Sequence, residues 1–176
     1  MRAAAPMVDA AGFGLRLVPF TLLLLALAHV APACAELRIT DDLGSTLTLA
    51  APPQRIVSLA PHITELLYAA GAGARIVATV DYSDYPPAAQ RLPRIGDATR
   101  IDRERLLQFK PDLVMAWASG TPARELDALR RLGLPLYLSE PRQLEAIGAQ
   151  LRDFGKLAGS TAQAELVARA YDQRLA

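Results

Sequence analysis

The sequence predicts an α/β fold, a parallel sheet flanked by helices, and three observations lead there. Short apolar runs rich in Val, Ile and Leu recur at 55–59, 75–80, 112–116 and 134–138, each of strand length. Helical segments fall between most of them, at 61–70, 102–109 and 123–132. Much of the remainder is Ala and Leu, a composition suited to well-packed helices. Strands that alternate with helices pair in parallel and bury the sheet beneath the crossovers.

The elements follow in order. Residues 37–49 (LRITDDLGSTLTL) alternate apolar and polar around Asp-Leu-Gly, the pattern of a β-hairpin, and Ala51-Pro52-Pro53 breaks it. Arg55–Leu59 is a strand, and Pro61 suits the first turn of a helix that runs to Gly71. Arg75–Val80 is the next strand. Asp102 is placed to cap a short helix to Phe109, because its carboxylate can accept from the free amides of the first turn. Strand 112–116, helix 123–132 closed by Gly133, and strand Leu134–Leu138 complete the repeat. Leu144, Ile147, Leu151 and Phe154 then recur at helical spacing. After Gly159, Ser160 and Gln163 stand at capping-box spacing, opening a last helix with no stop signal before Ala176.

The first 35 residues read as a signal peptide. Arg2 and Arg16 precede an apolar run, Leu17–Val30, shorter than the about 20 residues a membrane span needs. Ala33-Cys34-Ala35 supplies the small residues of a cleavage site, expected before Glu36. Cys34 is the single cysteine. A lipid anchor there is the alternative, although Ala31 stands where such anchors usually carry Leu. Cleavage leaves about 140 residues, enough for one domain with its own core.

The balance of 19 basic and 18 acidic residues, with no basic stripe, argues against nucleic acid as a partner. Of the two histidines, His29 falls in the leader, which leaves His62 without the partners a transition-metal site needs. No Walker loop, GxGxxG or Gly-x-Ser-x-Gly elbow occurs, and no catalytic residue is expected.

Five segments occur in order: RIVSLAPHITE at 55–65, YSDYP at 82–86, IGD at 95–97, IDRERLLQFKPDLVMAW at 101–117 and LRRLGLPLYLSEP at 129–141. Together they resemble the class of periplasmic binding proteins that deliver cobalamin, ferric siderophores and haem to ABC importers. DYSDYP and MAW lean toward the cobalamin-binding branch. The resemblance implies two Rossmann-like α/β lobes joined by one long helix, with ligand held between them. On that mapping residues 36–158 are the N-terminal lobe, residues 159–176 begin the connecting helix, and the second lobe is absent from this chain. The implied ligand is a corrinoid, with haem or a ferric siderophore as the alternative. The implied partner is the membrane permease of the importer, and the chain is expected to act as a monomer in the periplasm.

Residue by residue, Tyr82 matches the tyrosine that contacts the corrinoid in cobalamin-binding relatives. Its ring suits a broad, amide-edged macrocycle. Tyr85 is a second ligand candidate or a packing residue of the Tyr-Pro-Pro turn. Trp117, the only tryptophan, ends a strand and either stacks on a flat ligand or anchors the core. His62 opens a helix and either lines the cleft or is merely exposed there. Glu104 matches a surface glutamate that docks on the permease, with a solvated helix residue as the plainer account. Relatives carry a further tryptophan where Ala98 stands, so that stacking contact is missing here. Arg94 and Arg100 are candidates for the arginine cluster a siderophore would require.

Overall fold

The computed structural model describes residues 36–97 and 99–176. The expected signal peptide, Cys34 and Ala98 therefore lie outside the described residues. Strands β1 (Leu37–Thr40) and β2 (Thr46–Leu49) form the antiparallel hairpin, in the register Leu37↔Leu49 to Thr40↔Thr46. Its turn is held by Asp41, whose Oδ1 accepts from the amides of Leu43 at 3.0 Å and Ser45 at 2.7 Å. Gly44 occupies the left-handed region there, with φ 83°.

The main sheet is built from β3 (Ile56–Ser58), β4 (Ile76–Thr79), β7 (Leu113–Trp117) and β8 (Leu136–Ser139). All three pairings are parallel, in the order β4-β3-β7-β8. A two-residue pair, β5 (Gly96–Asp97) and β6 (Arg100–Ile101), lies outside it. Among the described residues five α-helices accompany the strands: α1 (Pro61–Ala69), α2 (Arg103–Gln108), α3 (Ala123–Arg131), α4 (Glu145–Ala158) and α5 (Thr161–Leu175).

Successive strand side chains point to opposite faces, and both faces are covered. Ile56, Leu113, Met115 and Tyr137 pack with Ile63 and Leu67 of α1, Leu151, Phe154 and Leu157 of α4, and Ala164 and Ala168 of α5. Their strand neighbours Val57, Val114, Ala116 and Leu138 pack instead with Leu106 of α2 and Leu126 and Leu129 of α3. A sheet buried on both faces selects continuous apolar runs, which is why LVMA in β7 shows no polar alternation.

Three sequence expectations are corrected. The last strand begins at Leu136 rather than Leu134, because Pro135 has no amide to donate and only its carbonyl joins the ladder, accepting from the Val114 amide. Leu144 does not join the apolar face of its helix: it occupies the N-cap position and stays exposed. Ser160 forms no capping bond with its own helix, because its hydroxyl donates at 2.6 Å to the Ala70 carbonyl at the end of α1. Asp102 does cap α2, accepting from the Arg105 amide at 2.9 Å. The last two helices lie close enough that a Cβ at Gly155 would fall 2.1 Å from that of Ala164. Arg152 bridges them, bonded to Glu165 and Asp172 of α5.

Candidate functional site

In parallel α/β sheets the loops leaving the carboxyl ends of the strands form the crevice where ligands bind. Here those ends carry His62 after β3, Tyr82 and Tyr85 after β4, Trp117 at the end of β7, and Glu140 after β8. Tyr82 is 80% exposed, a large apolar area left in water. Its φ of 66° is the left-handed region, which costs a non-glycine residue on the order of 1 kcal/mol. Such a conformation persists only where its surroundings hold it.

Two devices hold this loop. Arg94 donates from Nη1 to the Val80 carbonyl at 3.1 Å and from Nη2 to the Ser83 carbonyl at 2.9 Å. Beneath it runs a chain of buried hydroxyls. Thr79 Oγ1 donates to Ser83 Oγ at 2.9 Å and meets Thr64 Oγ1 at 2.8 Å, and Thr64 reaches Ser58 Oγ at 2.8 Å. All four residues are fully buried. The chain ties the loop after β4 to β3 and α1. Tyr85 is also exposed, and the bond to Pro86 is cis.

Trp117 pairs with Ser139 in the β7–β8 ladder and keeps its side chain partly in solvent. It is therefore no core anchor. His62 packs against it edge to face, ring centroids 5.3 Å apart. Gly120 leaves the space the indole uses, since a Cβ there would lie 1.9 Å from Trp117 Cε3. Burial holds the His62 imidazole below the ordinary histidine value, with the carboxylates of Glu140 and Asp42 opposing that shift.

Asp42 and Glu140 brace the β8 end. Glu140 accepts from the Ser119 amide at 2.9 Å, and its own amide donates to Asp42 at 2.6 Å. Gln150 of α4 donates to Asp42 and, at 2.7 Å, to Ser139. The hairpin turn, the loop after Trp117 and α4 are thus joined by hydrogen bonds at one rim.

Glu104 falls elsewhere, on the first turn of α2. With Asp97, Arg100 and Arg105 it lines a concavity of about 630 Å³ that none of the aromatic candidates reaches. Its carboxylate is exposed and makes no ion pair among the described residues, whereas Arg103 beside it is taken by the nearly buried Glu125 at 2.8 Å.

The structure therefore brings His62 and Trp117 into contact and places Tyr82 and Tyr85 on one braced loop. Arg94 is corrected: its terminal nitrogens serve the carbonyls of its own loop, so it is no member of a siderophore-binding arginine cluster. The hydroxyl chain, Gly120 and the Asp42–Gln150 link escaped sequence reading. Their one visible sign was polar Ser58 and Thr79 inside otherwise apolar strands. Among the described residues no group of His, Cys, Asp or Glu could hold a metal, and no helix is long and apolar enough to cross a membrane.

The chain is 41% identical over 143 residues to a vitamin B12-binding protein of Vibrio cholerae serotype O1, covering 81% of this chain and 51% of that protein. It is 40% identical over 123 residues to a vitamin B12-binding protein of Pectobacterium atrosepticum, covering 70% and 44%. Among solved structures it is similar to the periplasmic vitamin B12 binding protein BtuF of Vibrio cholerae, with TM-score 0.68 and 42% identity over 70% of this chain and 49% of that one. A periplasmic heme binding protein from Pseudomonas aeruginosa is similar at TM-score 0.64 and 28% identity, covering 70% and 44%. The chain spans about half the length of the curated relatives it matches. A family model described as periplasmic binding protein matches residues 56–176, and the chain belongs to that family.

Proposed function

We propose that this chain forms the N-terminal lobe of a solute-binding protein that captures cobalamin and hands it to the permease of an ABC importer. The observation that carries the reading is Tyr82, a ring held out into solvent on a doubly braced loop at the carboxyl edge of the sheet. The 41% identity to proteins named for vitamin B12 binding supports the choice of ligand. No bond is made or broken in this function. Tyr82 and Trp117, with Tyr85 and His62 beside them, supply flat apolar contact for the corrin, and a few polar groups fix its orientation.

In this reading residues 1–35 direct export and are removed, the protein works in the periplasm as a monomer, and residues 36–158 form the lobe. Residues 159–176 begin the helix that connects it to a second lobe. The exposed carboxylate of Glu104, which makes no ion pair among the described residues, supports its assignment to permease docking, where a rim charge steers association and fixes register more than it adds affinity.

Haem is the second reading, favoured by the similarity to a periplasmic heme binding protein and by the exposed phenol of Tyr82, a known type of haem iron ligand. Fluorescence titration decides between them. The protein as its gene encodes it is titrated with cyanocobalamin and separately with haemin, following Trp117, with Tyr82→Ala and free tryptophan as controls. Saturable quenching by cyanocobalamin that Tyr82→Ala weakens supports the proposal. Saturation by haemin alone, with an iron–phenolate absorption band lost in Tyr82→Ala, replaces it with haem.

A further inference from the structure

We propose that Arg94 is a positioning residue for Tyr82, locking the loop after β4 in the one conformation that presents the ring. The inference rests on the reading of Tyr82 as a ligand contact. The two carbonyls Arg94 binds, those of Val80 and Ser83, lie on either side of Tyr82 in the chain. A single planar guanidinium thus spans the residue whose φ is positive, and its parallel donors reach both oxygens at once. The arginine is itself fixed. Thr79 and Arg94 form a parallel bridge, with the Thr79 amide donating to Pro93 and the Ile95 amide to Thr79, both at 3.0 Å. Asp84 receives Nη2 at 3.2 Å, and the arginine side chain keeps only 25% of its surface in solvent.

The physical consequence concerns the unbound protein. A tyrosine at positive φ relaxes toward negative φ when nothing opposes it. That rotation swings the Cα–Cβ bond and carries the ring off its line. The hydroxyl chain anchors Ser83 from below, but it touches no carbonyl on the Val80 side of the tyrosine. The Thr79–Ser83 hydroxyl bond also spans the tyrosine, but between side chains, whereas the guanidinium holds backbone carbonyls on both sides of it. Without the guanidinium, part of the population presents no ring, and apparent affinity falls by the fraction that remains competent.

The test is a double-mutant cycle on cyanocobalamin affinity in the protein as its gene encodes it, using Tyr82→Ala, Arg94→Gln and the double variant. A second cycle pairs Arg94→Gln with Trp117→Ala. Arg94→Gln is expected to weaken binding by roughly tenfold. The double variant with Tyr82→Ala should bind no more weakly than Tyr82→Ala alone, while the losses with Trp117→Ala multiply. A general loss of fold would not couple to one ring and spare the other. If Arg94→Gln does not fold, Arg94→Lys carries the same cycles, keeping the charge while reaching one carbonyl instead of two. Unchanged affinity on substituting Arg94, or losses that multiply with Tyr82→Ala, overturns the inference alone. Unchanged affinity in Tyr82→Ala overturns it together with the ligand-contact reading beneath it.

Discussion

The rings of His62 and Trp117 meet edge to face, centroids 5.3 Å apart and planes at 84°, joining the start of α1 to the end of β7. This contact puts a titratable group against the protein's only tryptophan. Burial lowers the imidazole's proton affinity, and Glu140 and Asp42 oppose that shift.

The first prediction concerns pH. In the unfolded chain His62 titrates near about 6.5, and in the folded protein it titrates lower. The unfolded state therefore binds more protons between the two values, so stability increases with pH across that window. The contribution is complete above the unfolded value and is lost as pH falls through the folded one. Urea unfolding between pH 7.5 and 5 should show this slope, and His62→Gln should flatten it. An equal slope in both proteins would sink the assignment.

Gly120 sets the seat of the indole. Gly120→Ala places a methyl 1.9 Å from Trp117 Cε3, so the ring must leave its place. We expect a shifted emission maximum and about tenfold weaker cyanocobalamin binding, with a cost of about 1–3 kcal/mol in stability. Unchanged emission and affinity would show that the indole's position does not matter for the ligand.

Thr64 is the hub of the hydroxyl chain, bonded to both Ser58 and Thr79. Thr64→Val keeps the shape and removes the hydroxyl, leaving buried neighbours short of a partner. The expected cost is about 1–3 kcal/mol, read from urea midpoints. A neutral result would mean that Ser58 and Thr79 find other partners without loss.

Glu104 should separate capture from delivery. Glu104→Gln leaves cyanocobalamin affinity unchanged, because Glu104 lies on a surface that none of the aromatic candidates reaches. Import by cells expressing the cognate permease should fall several-fold, more steeply at low salt. Weakened ligand binding in isolated Glu104→Gln protein would move this residue from docking to the ligand site.

Much of the fold was legible because local rules and global packing agree. The apolar run Leu113–Ala116 has the length and composition of a strand buried on both faces, and the core covers it on both. Asp102 caps its helix because the cap lies two or three residues along the same chain. Ser160 shows where the rule stops. Its spacing to Gln163 satisfies a local motif, yet a carbonyl 90 residues earlier takes the hydroxyl.

The candidate residues were legible by type and position, and the groups that hold them in place were not. Tyr82 and Trp117 stand out in the sequence as aromatic residues at strand ends. Arg94 read only as a candidate for an anionic ligand, because nothing local reveals that the Val80 and Ser83 carbonyls and the Asp84 carboxylate of the loop after β4 take its donors. Gly120 was equally mute, since only the folded indole makes a hydrogen necessary there.

By itself the sequence determined the order of strands and helices, the parallel class of the sheet and the aromatic residues offered at its carboxyl edge. All of these follow from periodicity, caps and turns within about ten residues of chain. Only the tertiary structure decided that His62 touches Trp117, that Arg94 faces its own loop and that Glu104 stands apart on α2. Each of these depends on groups distant in sequence meeting at hydrogen-bond or van der Waals range, and packing alone sets those distances.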